Sequence, residues 1–125
     1  MKLHASGEDY LETILVLQKK LGMVRSVDVA RHMGVSKASV THATTTLRKG
    51  GFLTMDKEHY IHLTNAGRVT AEKIYERHTF LSQWLASIGV DPDIAAEDAC
   101  RIEHVISAQS FAAIKAYTKQ THAGK

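Results

Sequence analysis

The stretch DACRIEHVIS, residues 98–107, places three chemically versatile side chains close together. It contains the only cysteine of the chain, Cys100, with Glu103 three residues later and His104 four residues later. On a helix, these spacings put the three side chains on one face. Thiolate, carboxylate and imidazole groups all bind divalent transition metals, so the pattern predicts a metal site.

Three ligands from one helix seldom complete a coordination sphere, so we expect further donors from other segments. Asp9 and Glu12 are spaced i, i+3 beside apolar residues near the N-terminus, and His78 lies in an apolar part of a long helical segment. Each candidate also has a structural interpretation. Asp9 would favour a helix N-terminus, His78 would be a hydrogen-bonded core histidine, and Cys100 would be a packing residue.

The segments that would position these residues are mostly helical. Apolar residues at helical spacing predict a first helix over residues 8–21. A second helix follows between Ser26 as N-cap and Gly34, and a third between Ser36 as N-cap and Gly50. A short turn joins the second and third helices, which is the arrangement of a helix-turn-helix.

The third helix offers small polar and basic side chains around its N-terminus, as a helix that reads the DNA major groove requires. These candidate DNA-binding residues are Ser36, Lys37, Ser39, Thr41 and His42. The alternative is an ordinary helical hairpin with no role in DNA binding.

The following stretch, FLTMDKEHYIHLT, predicts a β-hairpin with strands over 53–55 and 60–63. A hairpin directly after a candidate recognition helix is typical of the wing of a winged helix. Lys57 lies at the tip of this hairpin, where it would meet a DNA phosphate.

Positive charge is concentrated in the same region. From Lys19 to Lys57 the chain has eight lysines and arginines against two acidic residues, whereas the whole chain has a net charge of only +3. A basic segment in a nearly neutral chain favours a polyanionic partner. The alternative is a solvated basic surface without a ligand.

The second half of the chain is predicted to be helical. Thr64 would cap a long helix that ends near Ser87, and Asp91, followed by proline, would start the next one. We expect a break at residues 108–109, a last helix over 110–117, and a frayed tail.

These predictions define a mainly α protein with a small β-hairpin wing. Residues 1–63 would form a winged helix-turn-helix DNA-binding domain, and residues 64–125 a helical metal-binding and dimerisation domain. The second segment is too short for an independent core, so we expect it to pack against a second copy. A two-fold homodimer would bind a palindromic stretch of double-stranded DNA.

The composition excludes several classes of protein. One cysteine cannot form an intramolecular disulfide, and the sequence shows neither a signal peptide nor an apolar run of about 18 residues. We therefore expect a cytoplasmic protein with no membrane partner.

Four segments, in unbroken order over residues 6–117, resemble the metal-dependent repressors of the diphtheria-toxin-repressor and manganese-transport-regulator family. They are EDYLETILVL, VARHMGVSKASVTHATTTLRKGGFL, HLTNAGRVTAEKIYERHTFL and ACRIEHVIS. The resemblance implies a winged-helix dimer that binds operator DNA when a divalent metal is bound. It implies metal ligands at Asp9, Glu12, His78, Cys100, Glu103 and His104.

The resemblance also implies a hybrid between two branches of that family. The manganese-sensing branch typically has Asp at the position of Asp9 and Glu at that of Cys100, whereas the iron-sensing branch has Met and Cys. Ser82 and Ala96 stand where the iron branch has ligands of an additional site. Because the sequence ends at Lys125, we expect no C-terminal SH3-like domain.

Oxygen-rich ligands suit Mn²⁺, whereas a thiolate favours Fe²⁺, Co²⁺ or Zn²⁺. We expect Mn²⁺ or Fe²⁺ as effector, with Zn²⁺ or Co²⁺ binding in vitro, and no catalytic residues. One alternative is a DNA-binding redox sensor that uses Cys100, although a buried thiol without a resolving cysteine argues against it. Another is a small carboxylate-metal enzyme, which would leave the wing unexplained.

Overall fold

The computed structural model describes residues 3–123, with side chains described for residues 3–119. Over residues 3–123 the chain forms six helices and two strands. In chain order these are α1 Ala5–Leu21, α2 Ser26–Met33, α3 Lys37–Lys49, β1 Leu53–Met55, β2 Ile61–Leu63, α4 Asn65–Ser87, α5 Pro92–Val105 and α6 Ala108–Ala123. None of the helices in this range has both the length and the apolar character needed to cross a membrane.

The chain divides into two compact units, with the boundary between Tyr75 and Glu76 inside α4. The first unit contains α1, α2, α3, both strands and the first half of α4. The second contains the rest of α4 with α5 and α6. Each unit has its own cluster of buried apolar side chains.

The core of the first unit is built from one face of each of its short helices. Leu11 and Ile14 of α1 are fully buried, as are Val29 of α2 and Val40 of α3, and Leu47 of α3 is nearly so. On α3, the buried residues Val40, Thr44 and Leu47 recur at the four- and three-residue spacings of an amphipathic helix. Burying each valine, leucine or isoleucine side chain contributes about 1.5–3 kcal/mol, so the core fixes how α3 is held against α1 and α2.

The turn between α2 and α3 contains the two predicted capping residues. Gly34 ends α2 in the left-handed conformation, with φ of 68°, which a residue without a Cβ adopts at little cost. The Ser36 hydroxyl oxygen accepts a hydrogen bond from the Ser39 N–H at 3.1 Å, confirming Ser36 as the N-cap of α3.

The predicted hairpin is confirmed, with antiparallel pairing of Leu53 with Leu63 and of Met55 with Ile61. Its second strand begins at Ile61, one residue later than expected. Val24, just before α2, forms a bridge to Ile61. The hairpin is thereby hydrogen-bonded to the segment that leads into the helix-turn-helix.

The junction between the hairpin and α4 is sterically tight. The Thr64 hydroxyl oxygen accepts from the Gly67 N–H at 3.1 Å and donates to the Gly51 carbonyl at 2.6 Å, confirming Thr64 as the cap. A Cβ on Gly67 would overlap the carbonyl oxygen of Phe52. Glycine is therefore required here by close backbone approach.

In the second unit, α5 starts as predicted. The Asp91 carboxylate accepts from the backbone N–H groups of Asp93 at 3.1 Å and Ile94 at 3.4 Å, with Pro92 in the first turn. Leu81 of α4, together with apolar residues of α5 and α6, forms the buried cluster of this unit.

The start of α2 differs from the prediction. Its N-cap is Arg25, not Ser26, because the Asp28 carboxylate accepts from the Arg25 backbone N–H at 2.9 Å. This one-way cap was hidden by the more usual capping residue, serine, one position later. Leu21, the last residue of the helix predicted over residues 8–21, is 55% exposed.

The last two helices also differ in their bounds. The break lies at Ile106 and Ser107, not at residues 108–109, because the Ser107 hydroxyl accepts from the Ser110 N–H at 3.0 Å. The last helix is longer than the expected 110–117. Much of the tail expected to fray is helical through Ala123, and residues 124–125 lie outside the described residues.

Candidate metal site and nucleic-acid interface

Three of the predicted ligands meet in the second unit. The Nδ1 atom of His78, on α4, lies 3.0 Å from Oε2 of Glu103, on α5. The same nitrogen lies 3.6 Å from Sγ of Cys100. One donor atom from each residue lies within 4.8 Å of the other two. Cys100 and Glu103 follow His78 by 22 and 25 residues in sequence, and the fold places both next to it.

Glu103 is the centre of this arrangement. Its side chain is fully buried, and a buried carboxylate is costly unless polar or charged groups surround it. Oε2 faces His78, whereas Oε1 lies 3.4 Å from Nε2 of His104, whose side chain is only 7% exposed. The carboxylate therefore presents a separate oxygen to each of two imidazoles.

The position of Cys100 corrects one expectation. The Cys100 side chain was expected to be buried, but it is exposed. Burial of the thiol is therefore no reason against a redox role. On α5, Ala99 and Glu103 are four residues apart and point into the core. Cys100 follows Ala99 by one residue, which places it at the rim of the buried face.

Asp9 and Glu12, the other two predicted ligands, belong to the first unit. They lie one turn apart on α1 and are half-buried.

The donor set in the second unit fits a divalent transition metal. It combines an imidazole nitrogen, a sulfur and a carboxylate oxygen, each a known ligand of such ions, within the reach of one ion. The same nitrogen of His78, Nδ1, faces both Glu103 and Cys100, so it is the ring atom that would face a bound ion.

The predicted DNA-binding residues share one property, which is exposure. On α3 and at its cap these exposed residues are joined by others, and Lys57 is exposed in the turn of the hairpin; the predicted ones on α3 and its cap are Ser36, Lys37, Ser39, Thr41 and His42. The Ser36 hydroxyl also donates to Oγ of Ser39 at 3.0 Å, so these two serines are ordered relative to each other.

Asp56 organises the turn that carries Lys57. Its carboxylate accepts from the backbone N–H groups of Glu58 at 3.0 Å and Tyr60 at 2.9 Å, and it lies 2.9 Å from Nε2 of His62. The hydrogen bond with His62, followed by those from the backbone, lowers the pKa of Asp56 below its ordinary value. His59 completes the turn with φ of 68°.

One contact of the hairpin was not predicted from the sequence. The Arg25 guanidinium lies 4.3 Å from the centroid of the Tyr60 ring, a cation–π contact between the start of α2 and the hairpin. The two residues are far apart in sequence and form no local pattern, so no signal in the sequence indicated this contact.

Two family models together match residues 2–122 of the chain. A family model described as the N-terminal DNA-binding domain of iron-dependent repressors matches residues 2–63. A second model, described as the metal-binding and dimerisation domain of iron-dependent repressors, matches residues 64–122. The chain belongs to the iron-dependent repressor family. This membership confirms the resemblance found in the sequence.

Related proteins of this family are named as transcriptional regulators. The chain is 35% identical over 113 residues to the transcriptional regulator MntR of Salmonella typhimurium, covering 90% of this chain and 72% of the relative. It is 35% identical over 106 residues to the HTH-type transcriptional regulator MntR of Bacillus subtilis, covering 85% of this chain and 75% of the relative.

Solved structures show the same fold. The manganese regulator SloR matches with a TM-score of 0.82 and 23% identity over 95% of this chain. The metal-dependent regulator MtsR matches with a TM-score of 0.83 and 21% identity over 90% of this chain. The chain spans 55% and 53% of their respective lengths. The predicted fold class, a helical protein with a winged helix-turn-helix, is confirmed.

Family membership makes the chain a metal-dependent transcriptional regulator with a DNA-binding domain and a dimerisation domain. The alternative of a small carboxylate-metal enzyme is wrong, because the family and the named relatives are regulators.

Proposed function

We propose that the chain is a cytoplasmic repressor that controls metal-ion homeostasis. As a homodimer, it would bind a palindromic operator when Mn²⁺ or Fe²⁺ is present. The observation that carries this proposal is the convergence of His78, Cys100 and Glu103 within 4.8 Å in the segment that matches a metal-binding domain. Residues 1–63 would supply the DNA-binding domain and residues 64–125 the metal-binding and dimerisation domain.

The full ligand set is proposed as six residues from both domains. His78, Cys100, Glu103 and His104 would come from the second domain, and Asp9 and Glu12 from α1. Carboxylates and imidazoles are the usual oxygen and nitrogen donors to Mn²⁺ and Fe²⁺, which supports this set. The resemblance of the segment that contains Asp9 and Glu12 to the family supports it further.

The proposed switch rests on like-charge repulsion. Without metal, the carboxylates of Asp9, Glu12 and Glu103 would repel one another and loosen the packing of α1. If these carboxylates held a divalent cation, its positive charge would neutralise them. Because α1 packs against α2 and α3 in the first unit, holding α1 in place fixes the recognition helices of the dimer.

On the DNA side, the residues divide by chemistry. Lys37 and Lys57 would contact phosphates and contribute salt-dependent affinity. Ser39, Thr41 and His42, with Ser36, would contact base edges in the major groove. Their exposure and their placement at the start of α3 support these roles.

The nature of the effector depends on Cys100. Its sulfur favours Fe²⁺, Co²⁺ or Zn²⁺, whereas the surrounding carboxylates favour Mn²⁺. We expect Cys100→Ser to weaken Zn²⁺ and Co²⁺ binding more than Mn²⁺ binding. Competition between these metals for the wild-type and Cys100→Ser proteins would measure this. A uniform loss for all metals would show that the thiol does not select among them.

The proposal is tested by DNA binding with and without metal. Duplexes would be enriched from a random library once with chelator present and once with Mn²⁺, then labelled for fluorescence anisotropy. We expect affinity to rise with Mn²⁺ or anaerobic Fe²⁺, and Glu103→Ala to abolish the rise. Equal affinity in chelator and in every metal would refute a metal switch.

The exposed thiol supports a second candidate, a redox sensor. Sγ of Cys100 lies 3.6 Å from His78 and is open to solvent. The chain has no second cysteine to form a disulfide within one subunit. Labelling by iodoacetamide separates the two functions, because metal binding would protect Cys100. Loss of DNA binding after mild peroxide treatment, but not in Cys100→Ser, would favour the sensor.

A further inference from the structure

The second unit contains a buried cation that the proposed mechanism does not use. Arg77, on α4, is only 7% exposed. Its Nη1 donates to the carbonyl oxygen of Glu103 at 3.1 Å and to that of Ile106 at 2.9 Å. Both carbonyls lie at the C-terminal end of α5, where helix geometry leaves the last carbonyls without intrahelical partners.

Arg77 also connects to α6. Its guanidinium lies 5.5 Å from the centroid of the Phe111 ring, which packs edge-on against Phe80 at 5.6 Å between centroids. One side chain of α4 therefore contacts both the end of α5 and the start of α6. A positive charge at the C-terminus of α5 also interacts favourably with the helix dipole.

The contacts of Arg77 are directly linked to the candidate metal site. It precedes His78 on α4, and one of its acceptors is the main chain of Glu103 itself. The two residues whose side chains meet at 3.0 Å, His78 and Glu103, are thus joined a second time through the backbone. A shift of the end of α5 relative to α4 would separate these two donors.

We propose that Arg77 is a positioning residue for the metal site: by binding the carbonyls of Glu103 and Ile106, it holds Glu103 at the distance from His78 that metal binding requires. This inference rests on the proposed function, since it assigns Arg77 a role in the affinity of that site. The alternative is that Arg77 only stabilises the packing of the three helices.

The experiment measures Mn²⁺ binding directly, from the electron paramagnetic resonance signal of the free ion, in the full chain without DNA. We expect Arg77→Gln to lose about 10- to 100-fold in Mn²⁺ affinity, the range seen when groups that orient ligands are removed. Arg77→Lys should lose less, because an ammonium keeps the charge and some donors but lacks the rigid fork of arginine.

Two controls separate positioning from stability. Lys115 lies 5.3 Å from the centroid of the same Phe111 ring, but its ammonium donates to Oε2 of Glu76 on α4 at 3.1 Å. Lys115→Met therefore removes a cation from that ring without touching α5. Leu81→Val weakens the buried cluster of the same unit. Both variants should keep Mn²⁺ affinity within about twofold, although Leu81→Val lowers the melting temperature.

Each result of these Mn²⁺ titrations either supports or overturns the positioning role of Arg77. A folded Arg77→Gln with the affinity of the wild type would overturn the inference, as would an equal loss in Leu81→Val. If circular dichroism shows that Arg77→Gln does not fold, Arg77→Lys decides, since wild-type affinity in that variant contradicts positioning. A wild-type protein that binds no Mn²⁺ or Co²⁺ would instead overturn the proposed function, and this inference with it.

Discussion

The two compact units present their candidate functional residues in opposite ways. In the first unit, Lys37 and Lys57 extend into solvent from α3 and the hairpin turn. In the second unit, Glu103 is fully buried and His104 nearly so, and each contacts other ionisable groups. Exposed charged groups each contribute a small free energy that is nearly independent of the others and is weakened by salt. Buried polar groups depend on one another, because removing one leaves its partner without compensation.

This difference predicts a ranking of substitutions. Changes within the buried cluster should abolish a function outright, whereas changes on the exposed side of α3 and the hairpin turn should reduce DNA affinity by degrees. Four substitutions span this range, from the largest expected effect to the smallest.

The largest effect is expected from Glu103→Gln, which keeps the size of the side chain but removes its charge. Because the carboxylate contacts both His78 and His104, we expect metal affinity to fall at least about 100-fold, beyond the cost of losing an orienting group alone. Isothermal titration with Mn²⁺ measures this. Asp98→Asn, an equal change of charge on an exposed part of α5, is the control and should bind as the wild type does.

A large but different effect is expected from Gly67→Ala. A Cβ at this position would overlap the Phe52 carbonyl oxygen, so either the hairpin or α4 must shift. We expect unfolding free energy to fall by at least about 2 kcal/mol, measured by urea denaturation. Val69→Ala, two residues later and exposed, should change stability little. Equal stability of both variants would show that the junction is not rigid.

A moderate effect is expected from Lys57→Ala. Loss of one phosphate contact should reduce the slope of log affinity against log salt concentration by about 0.9. Anisotropy titrations from low to high salt measure this slope. Lys115→Ala, in the second unit, should leave it unchanged. An unchanged slope for Lys57→Ala would remove the wing tip from the DNA interface.

The smallest effect concerns pH and the wing. Since hydrogen bonds from His62 and from the backbone hold the pKa of Asp56 below its ordinary value of 3.8, its contribution to stability is fully present above pH 3.8. It is lost as pH falls through the lowered pKa. Amide exchange at Tyr60 should be slower than in Asp56→Asn at pH 6, and this difference should shrink as pH falls through the lowered pKa. A constant difference across this range would contradict the assignment.

The comparison of the two units also explains what the sequence could predict. The first unit is specified locally: Gly34 and Ser36 mark a turn, and alternating residues on both sides of a polar tip mark the hairpin. Each signal lies within a few residues, so the elements and the exposed face of α3 were predictable.

The second unit was predictable in part. The i, i+3, i+4 spacing of Cys100, Glu103 and His104 indicated metal chemistry, but not the geometry. The sequence could not show that Glu103 faces two imidazoles, or that Cys100 lies at the exposed rim. Those features depend on how α4 packs against α5. The contacts of Arg77 span 26 and 29 residues and leave no local pattern.

The central claim is that metal binding and DNA binding are coupled, and coupling must be reciprocal. The most direct test measures Mn²⁺ affinity of the wild-type protein twice, free and bound to the enriched duplex. If the metal switches DNA binding, the affinity for Mn²⁺ must increase on DNA by the same factor as the affinity for DNA increases with Mn²⁺. Equal Mn²⁺ affinity on and off DNA would contradict the account, whatever the tightness of either interaction.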